Sequence, residues 1–299
     1  MEEGNLRGLL RQLTRRSVAL CIGGVMTAIA AQSTHAAEHP GKRAYDRYCA
    51  GCHGVAGDGK GPAAIFLDPK PRDFTSGKFK FGSVPAGELP TDQDLDRILV
   101  HGLNGTSMPA WPLLPQQERA QIIEYIKTFS PEWQRSAPGV PIAVTEDPYR
   151  GDVESIRKAV ARGEVVYHTV TTCWQCHPGY VSAERFAELY AAQKRRPPPL
   201  RPDFHKPVMK PDGWGQPLMP TDFKTDRIKT GIELKNLFIV IAAGIGGTAM
   251  PTWKDSIPDE DIWALAYYVR WLADQRNDRL RNLPLAPLAV AMPASGGAR

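Results

Sequence analysis

Cys49-Ala50-Gly51-Cys52-His53 and Cys173-Trp174-Gln175-Cys176-His177 are two copies of one pattern, C-x-x-C-H, in a single chain. Two further blocks repeat outward from it in the same order. Pro71-Arg72-Asp73-Phe74 has its counterpart in Pro220-Thr221-Asp222-Phe223. Gly102-Leu103-Asn104-Gly105-Thr106-Ser107-Met108-Pro109-Ala110-Trp111 returns as Gly244-Ile245-Gly246-Gly247-Thr248-Ala249-Met250-Pro251-Thr252-Trp253. Three ordered matches identify an internal duplication. The 299 residues are enough for each copy to bury its own core.

The flanks predict helices. Lys42 to Cys49, with Tyr45 and Tyr48, reads as one short helix before the first motif. Val153 to Thr172, with Ile156, Val160 and Val165-Val166-Tyr167, reads as a longer one before the second. Leu114-Pro115 opens a helix through Phe129, whose Ile122, Ile123, Ile126 and Phe129 keep the helical period. Ile257-Pro258-Asp259-Glu260 opens another through Leu272, with Ile262, Leu265, Ala266, Val269 and Leu272 on one side. Proline at a helix start and acids in its first turn suit the backbone dipole.

Two thiols three positions apart, followed directly by His, are the attachment pattern for a c-type haem. The thiols add to the two vinyl groups of one macrocycle, and the His is held under the iron. A lone C-x-x-C could be a redox dithiol or half of a zinc site. The adjoining His and the duplication argue against both. Cys49, Cys52, Cys173 and Cys176 are therefore the expected covalent sites for two haem c groups, with His53 and His177 as proximal iron ligands.

Met108 and Met250 are the expected distal ligands, 59 and 77 positions after the first cysteine of each motif. A thioether is a soft neutral donor that raises the potential, and the proline after each stiffens its loop. A lone Met is usually core filler, and here the repeat argues otherwise. Met219, before Pro220, competes in the second half but aligns with Lys70. Met209 is a weaker candidate. His101, His168 and His205 lack the context of an iron ligand. Gly57-Asp58-Gly59-Lys60-Gly61-Pro62 lacks the spacing of a phosphate loop. It reads as a turn across the proximal face, with a carbonyl near Pro62 as acceptor for the other nitrogen of His53. The second half has Pro178-Gly179-Tyr180 there, which offers no evident equivalent.

Residues 1–36 read as a signal peptide, with Arg7, Arg11, Arg15 and Arg16 before an apolar Ser17 to Ala31. The alternative is an uncleaved anchor, for which the stretch is short. Cys21 lies in this region without a lipoprotein context. The expected organisation is a first domain over 37–130, a linker over 131–150 and a second domain over 151–275. Pro131, Pro138, Pro141 and Pro148 break any helix in the linker. From the first motif cysteine to the Phe of the P-x-D-F block there are 25 positions in the first half and 50 in the second. The excess reads as an insertion near 183–217. Residues 276–299 read as a Pro/Ala-rich tail. The formal charge of +5 gives no nucleic-acid signal.

These motifs resemble class I c-type cytochrome domains, over about residues 40–130 and 150–275. The resemblance implies an all-α fold of two tandem domains, each with an N-terminal C-x-x-C-H, a distal Met loop and a closing helix. It implies an exported, periplasmic dihaem electron carrier working between donor and acceptor redox proteins. With His and Met both filled, neither iron has a vacant position, which favours a carrier over an enzyme. The alternatives are a dihaem enzyme, peroxidase-like or oxidising sulfur compounds, and a haem subunit tethered in a membrane respiratory complex. The long middle of the second half would carry the extra activity or the docking.

Overall fold

The structure, a computed structural model, describes residues 38–281, with side chains as far as residue 276. The proposed signal peptide with Cys21, and the tail beyond residue 281, lie outside the described residues. The remainder is all-α apart from one two-stranded hairpin.

Helix α1 (Lys42–Tyr48) leads directly into α2 (Ala50–His53), which carries the first motif. Helix α3 (Asp92–His101) starts at a capping box in which Thr91 and Asp94 satisfy each other's backbone amides. It buries Leu95 and Leu99. Helix α4 (Gln116–Lys127) starts after Pro115 and buries Ile122, Ile123 and Ile126, as the periodicity predicts. These residues meet Tyr45, Cys49, Ala50 and Phe74 in one apolar cluster, against which Met108 packs.

The second half repeats the plan. Asp152 caps α6 (Val153–Val165), numbered after the short α5 (Glu132–Arg135). A π-helical turn, Val166–Val170, follows α6 where a continuous helix was expected. Thr172 then adopts a left-handed conformation, φ 49°. Ser182 caps α7 (Ala183–Ala192). Strands β1 (Lys210–Pro211) and β2 (Pro217–Leu218) pair antiparallel. Helix α8 (Leu234–Ala243) is apolar nearly all round and accordingly buried. Helix α9 (Asp259–Arg281) continues nine residues past its expected end at Leu272. A second, larger cluster gathers α6, α7, α8 and α9, with Met250 and Cys173 packed against it.

In each half the first helix crosses the last at a glycine. A Cβ on Gly41 would collide with the Gln121 carbonyl of α4, and one on Gly163 with the Ala264 carbonyl of α9. Only glycine permits that approach.

One expectation needs correction. The 131–150 segment is not free of helix: Pro131 caps the single turn of α5, because proline is compatible with a helix start. The extra middle of the second half is folded into the protein. Phe186, Leu189 and Tyr190 of α7 and Phe204 join the second core. The 131–150 segment is pinned at both ends, by Gly139 N–H to Leu89 O (2.9 Å) and Ile142 N–H to Ser83 O (2.7 Å) on one side. On the other, the Tyr267 hydroxyl donates to Asp147 Oδ2 (2.8 Å).

Candidate haem sites

The first attachment motif lies on α2, at the C-terminal end of which His53 projects. Its Nδ1–H donates to the Arg72 carbonyl at 2.9 Å. The Phe74 ring stacks on the imidazole, centroids 4.6 Å apart and planes within 19°. In the second half, His177 Nδ1–H donates to the Thr221 carbonyl at 2.8 Å. Phe223 stacks on it at 4.8 Å and 20°. The P-x-D-F block is thus a clamp on the motif histidine: the carbonyl of x fixes the tautomer and the Phe fixes the ring plane. The Asp closes the turn, Asp73 Oδ1 accepting from Thr75 N–H (2.8 Å) and Asp222 Oδ1 from Lys224 N–H (3.0 Å).

This corrects the expectation at Pro62. The Gly-rich turn folds back on the attachment helix instead. Gly59, Gly61 and Ala63 donate to the carbonyls of His53, Cys52 and Gly51. A Cβ on Gly61 would stand 2.5 Å from two of the helix carbonyl oxygens, Ala50 and Gly51. In the second half, Arg201 of the insertion does the equivalent work. Its guanidinium donates to the Trp174 carbonyl (3.1 and 3.2 Å) and the His177 carbonyl (3.0 Å), and reaches those of Asp203, Phe204 and Lys206.

A tyrosine holds the backbone just beyond each histidine. Tyr45 Oη donates to Gly54 O at 2.7 Å, and Tyr167 Oη to Pro178 O at 2.8 Å. Tyr45 stands four residues before its motif and Tyr167 six. The π-helical turn and left-handed Thr172 absorb the two extra residues.

The two Met loops match bond for bond. Helices α3 and α8 end at Gly102 (φ 64°) and Gly244 (φ 76°). The Thr106 hydroxyl donates to Leu103 O (2.8 Å) and accepts from Met108 N–H (3.1 Å). The Thr248 hydroxyl does the same with Ile245 O (2.8 Å) and Met250 N–H (3.1 Å). Trp111 N–H and Trp253 N–H return to the helices at Leu99 O and Ala242 O. Met250 packs against the second core, while its competitors Met209 and Met219 are exposed.

The donor set fits an attached haem. The four motif cysteines are free thiols. Burial pushes the Cys49 thiol up to about 12 and the Cys173 thiol up to about 11, with the partner cysteine a smaller cause in each case. Burial also lowers the pKa of both histidines, against the opposing pull of the carbonyl bonds, so each imidazole is neutral. With Nδ1–H committed to a carbonyl, each Nε2 keeps the lone pair a metal requires. Among the described residues no cluster of three or more His, Cys, Asp or Glu has the arrangement of a metal site.

Of the other histidines, His168 is fully buried between the Glu164 carbonyl and the Tyr180 amide. His205 donates to Gly179 O, and His101 is exposed.

Helical halves with a clamped C-x-x-C-H and a Met loop define a c-type cytochrome built twice. The comparisons agree. The cytochrome c family model matches residues 39–130, and that for cytochrome C oxidase, cbb3-type, subunit III matches residues 158–269. A chain of the Kuenenia stuttgartiensis reducing HAO-like protein complex is 30% identical, covering 79% of this chain and 96% of its own, with a TM-score of 0.63. No curated protein sequence matches. The chain belongs to the dihaem c-type cytochromes. Domains of this kind hold haem c covalently and use it for electron transfer.

Proposed function

We propose that the chain is a periplasmic dihaem cytochrome passing single electrons between respiratory partners. Cys49 and Cys52 hold one haem c, and Cys173 and Cys176 the other. His53 with Met108, and His177 with Met250, fill the axial positions. The two centres lie in domains over 37–130 and 151–275. A bound haem supplies a one-electron iron couple; the protein supplies burial, ligand identity and orientation. The P-x-D-F clamp fixes the tautomer and the ring plane of each His, while burial keeps it neutral. The Thr-braced loop presents the thioether at little ordering cost. The observation that carries this reading is the duplication itself: both halves possess the same clamp and the same Met loop.

The test replaces Met108 and Met250 by His, one at a time, and records the oxidised absorption spectrum. Each replacement is expected to remove its share of the long-wavelength band of Met-ligated haem. An unchanged spectrum overturns the axial assignment. Rapid turnover of peroxide or thiosulfate by the purified protein alone overturns the carrier reading.

A second reading, compatible with the first, is a haem subunit of a larger assembly. It is favoured by the likeness of residues 158–269 to an oxidase subunit and of 79% of the chain to a member of a protein complex. Co-purification from native membranes, with and without residues 1–36, tests it: a protein found only free and monomeric in both cases counts against it.

A further inference from the structure

The β1–β2 hairpin lies in the extra middle of the second half, and its tip touches both sites. Asp212 Oδ1 accepts from the amides of Trp214 (3.0 Å) and Gln216 (2.9 Å), which shapes the tip. The tip projects the Trp214 indole onto the first half. The Arg72 guanidinium lies over that indole, 3.9 Å from its centroid, and Trp214 Nε1–H donates to Ser76 Oγ at 3.2 Å. Lys80 Nζ pairs with Asp212 Oδ2 at 2.9 Å, its side chain 15% exposed and that of Asp212 5%.

The same tip also holds the second Met loop. Gly213 N–H donates to Gly247 O at 2.7 Å. A Cβ on Gly247 would lie 2.6 Å from the edge of the Trp214 ring. The neighbouring Gly246 N–H donates to Lys80 O at 3.0 Å. One indole therefore sits between Arg72, whose carbonyl clamps His53, and Gly247, three residues before Met250.

We propose that Trp214 is a positioning residue that couples the two haem sites, joining the proximal clamp of the first to the Met loop of the second. The inference rests on the axial assignments above. Its physics has two parts. Arg72 makes no direct ion pair among the described residues, so Asp212 and Asp73, acting from further off, offset its charge only in part. Covered by the indole, that charge acts through a poorly solvated medium and disfavours the oxidised, more positive first centre. The indole also restrains the loop of Met250, and a loosened thioether lowers the potential of the second centre. Coupling of this kind is reciprocal: a change at either end of the contact is felt at the other.

The test is a redox titration of the haem-loaded full chain that resolves both centres, for W214A, W214F, R72M and G247A. W214A is expected to lower both potentials. The reduced-to-oxidised ratio of the first centre at a fixed poise should fall by about three- to tenfold, tenfold being about 59 mV for a one-electron couple. W214F keeps the ring and loses the Ser76 bond, so it should shift both potentials the same way by less. The crossed effects decide the matter. R72M should move the second centre, and G247A the first. Should W214A fail to load haem, W214F with the crossed pair gives the answer. Shifts confined to the site touched, or none in folded and loaded protein, overturn the coupling. Failure of the axial assignments shows separately, as an oxidised spectrum indifferent to Met108 and Met250 replacement.

Discussion

The Arg72 carbonyl accepts the Nδ1 proton of His53 at 2.9 Å, and the residue two places on, Phe74, stacks on the same ring. The second half repeats the relationship with Thr221, Phe223 and His177. The backbone does the accepting, so the residue type at Arg72 and Thr221 is free to differ. The Phe side chain does the stacking, so it recurs. Phe74 is buried and Phe223 half-buried. Phe74→Ala is expected to cost about 3 kcal/mol, and Phe223→Ala less. Denaturant unfolding of each variant checks this; equal losses, or a Phe74 loss under about 1 kcal/mol, would contradict the clamp as described.

Arg201 serves five backbone carbonyls around the second motif. Arg201→Ala strands several of these acceptors, for an expected loss of about 3 kcal/mol. Arg201→Lys should recover only part, because one ammonium cannot span the same set. The readout is unfolding together with haem content, where loading at Cys173 and Cys176 should fall while that at Cys49 and Cys52 holds.

Gly163→Ala tests the crossing of α6 and α9. Alanine gains about 1 kcal/mol in helix propensity. The added methyl would stand 2.6 Å from Tyr268 Cβ and 2.8 Å from the Ala264 carbonyl carbon. Overpacking should win, leaving a net loss of about 1–2 kcal/mol. A thermal midpoint that rises on Gly163→Ala would show the helices free to move apart.

His168 makes the protein acid-sensitive. Burial lowers its pKa from 6.5 to about 4, with the Arg185 charge a minor cause and the Glu164 carbonyl bond opposing. The folded state thus binds the proton less readily than the unfolded one. Its contribution is complete above about pH 6.5 and is lost as pH falls through about 4, on the order of 3 kcal/mol in all. His168→Gln can keep both hydrogen bonds and should flatten that part of the stability profile. Urea unfolding between those pH limits measures it; identical slopes for the two proteins would rule His168 out.

Much of this protein is written locally. The C-x-x-C-H units, the Met blocks and the periodicity of Ile122, Ile123 and Ile126 are short-range patterns, and the all-α fold follows from them. Helix α3, with its capping box at Thr91 and Asp94, is one the helical periodicity did not single out. The P-x-D-F repeat was visible, yet its purpose was not, because a backbone carbonyl leaves no signature in residue type. Arg201 stands 28 positions from Cys173, Trp214 stands 142 from Arg72, and Gly163 meets Ala264 from 101 away. No periodicity spans such separations. By itself the sequence determined that there are two equivalent sites and which residue types serve them. Tertiary packing decided what clamps each histidine, what replaces the Gly-rich turn in the second half, and that one indole stands between the sites, since each depends on where the chain returns in space.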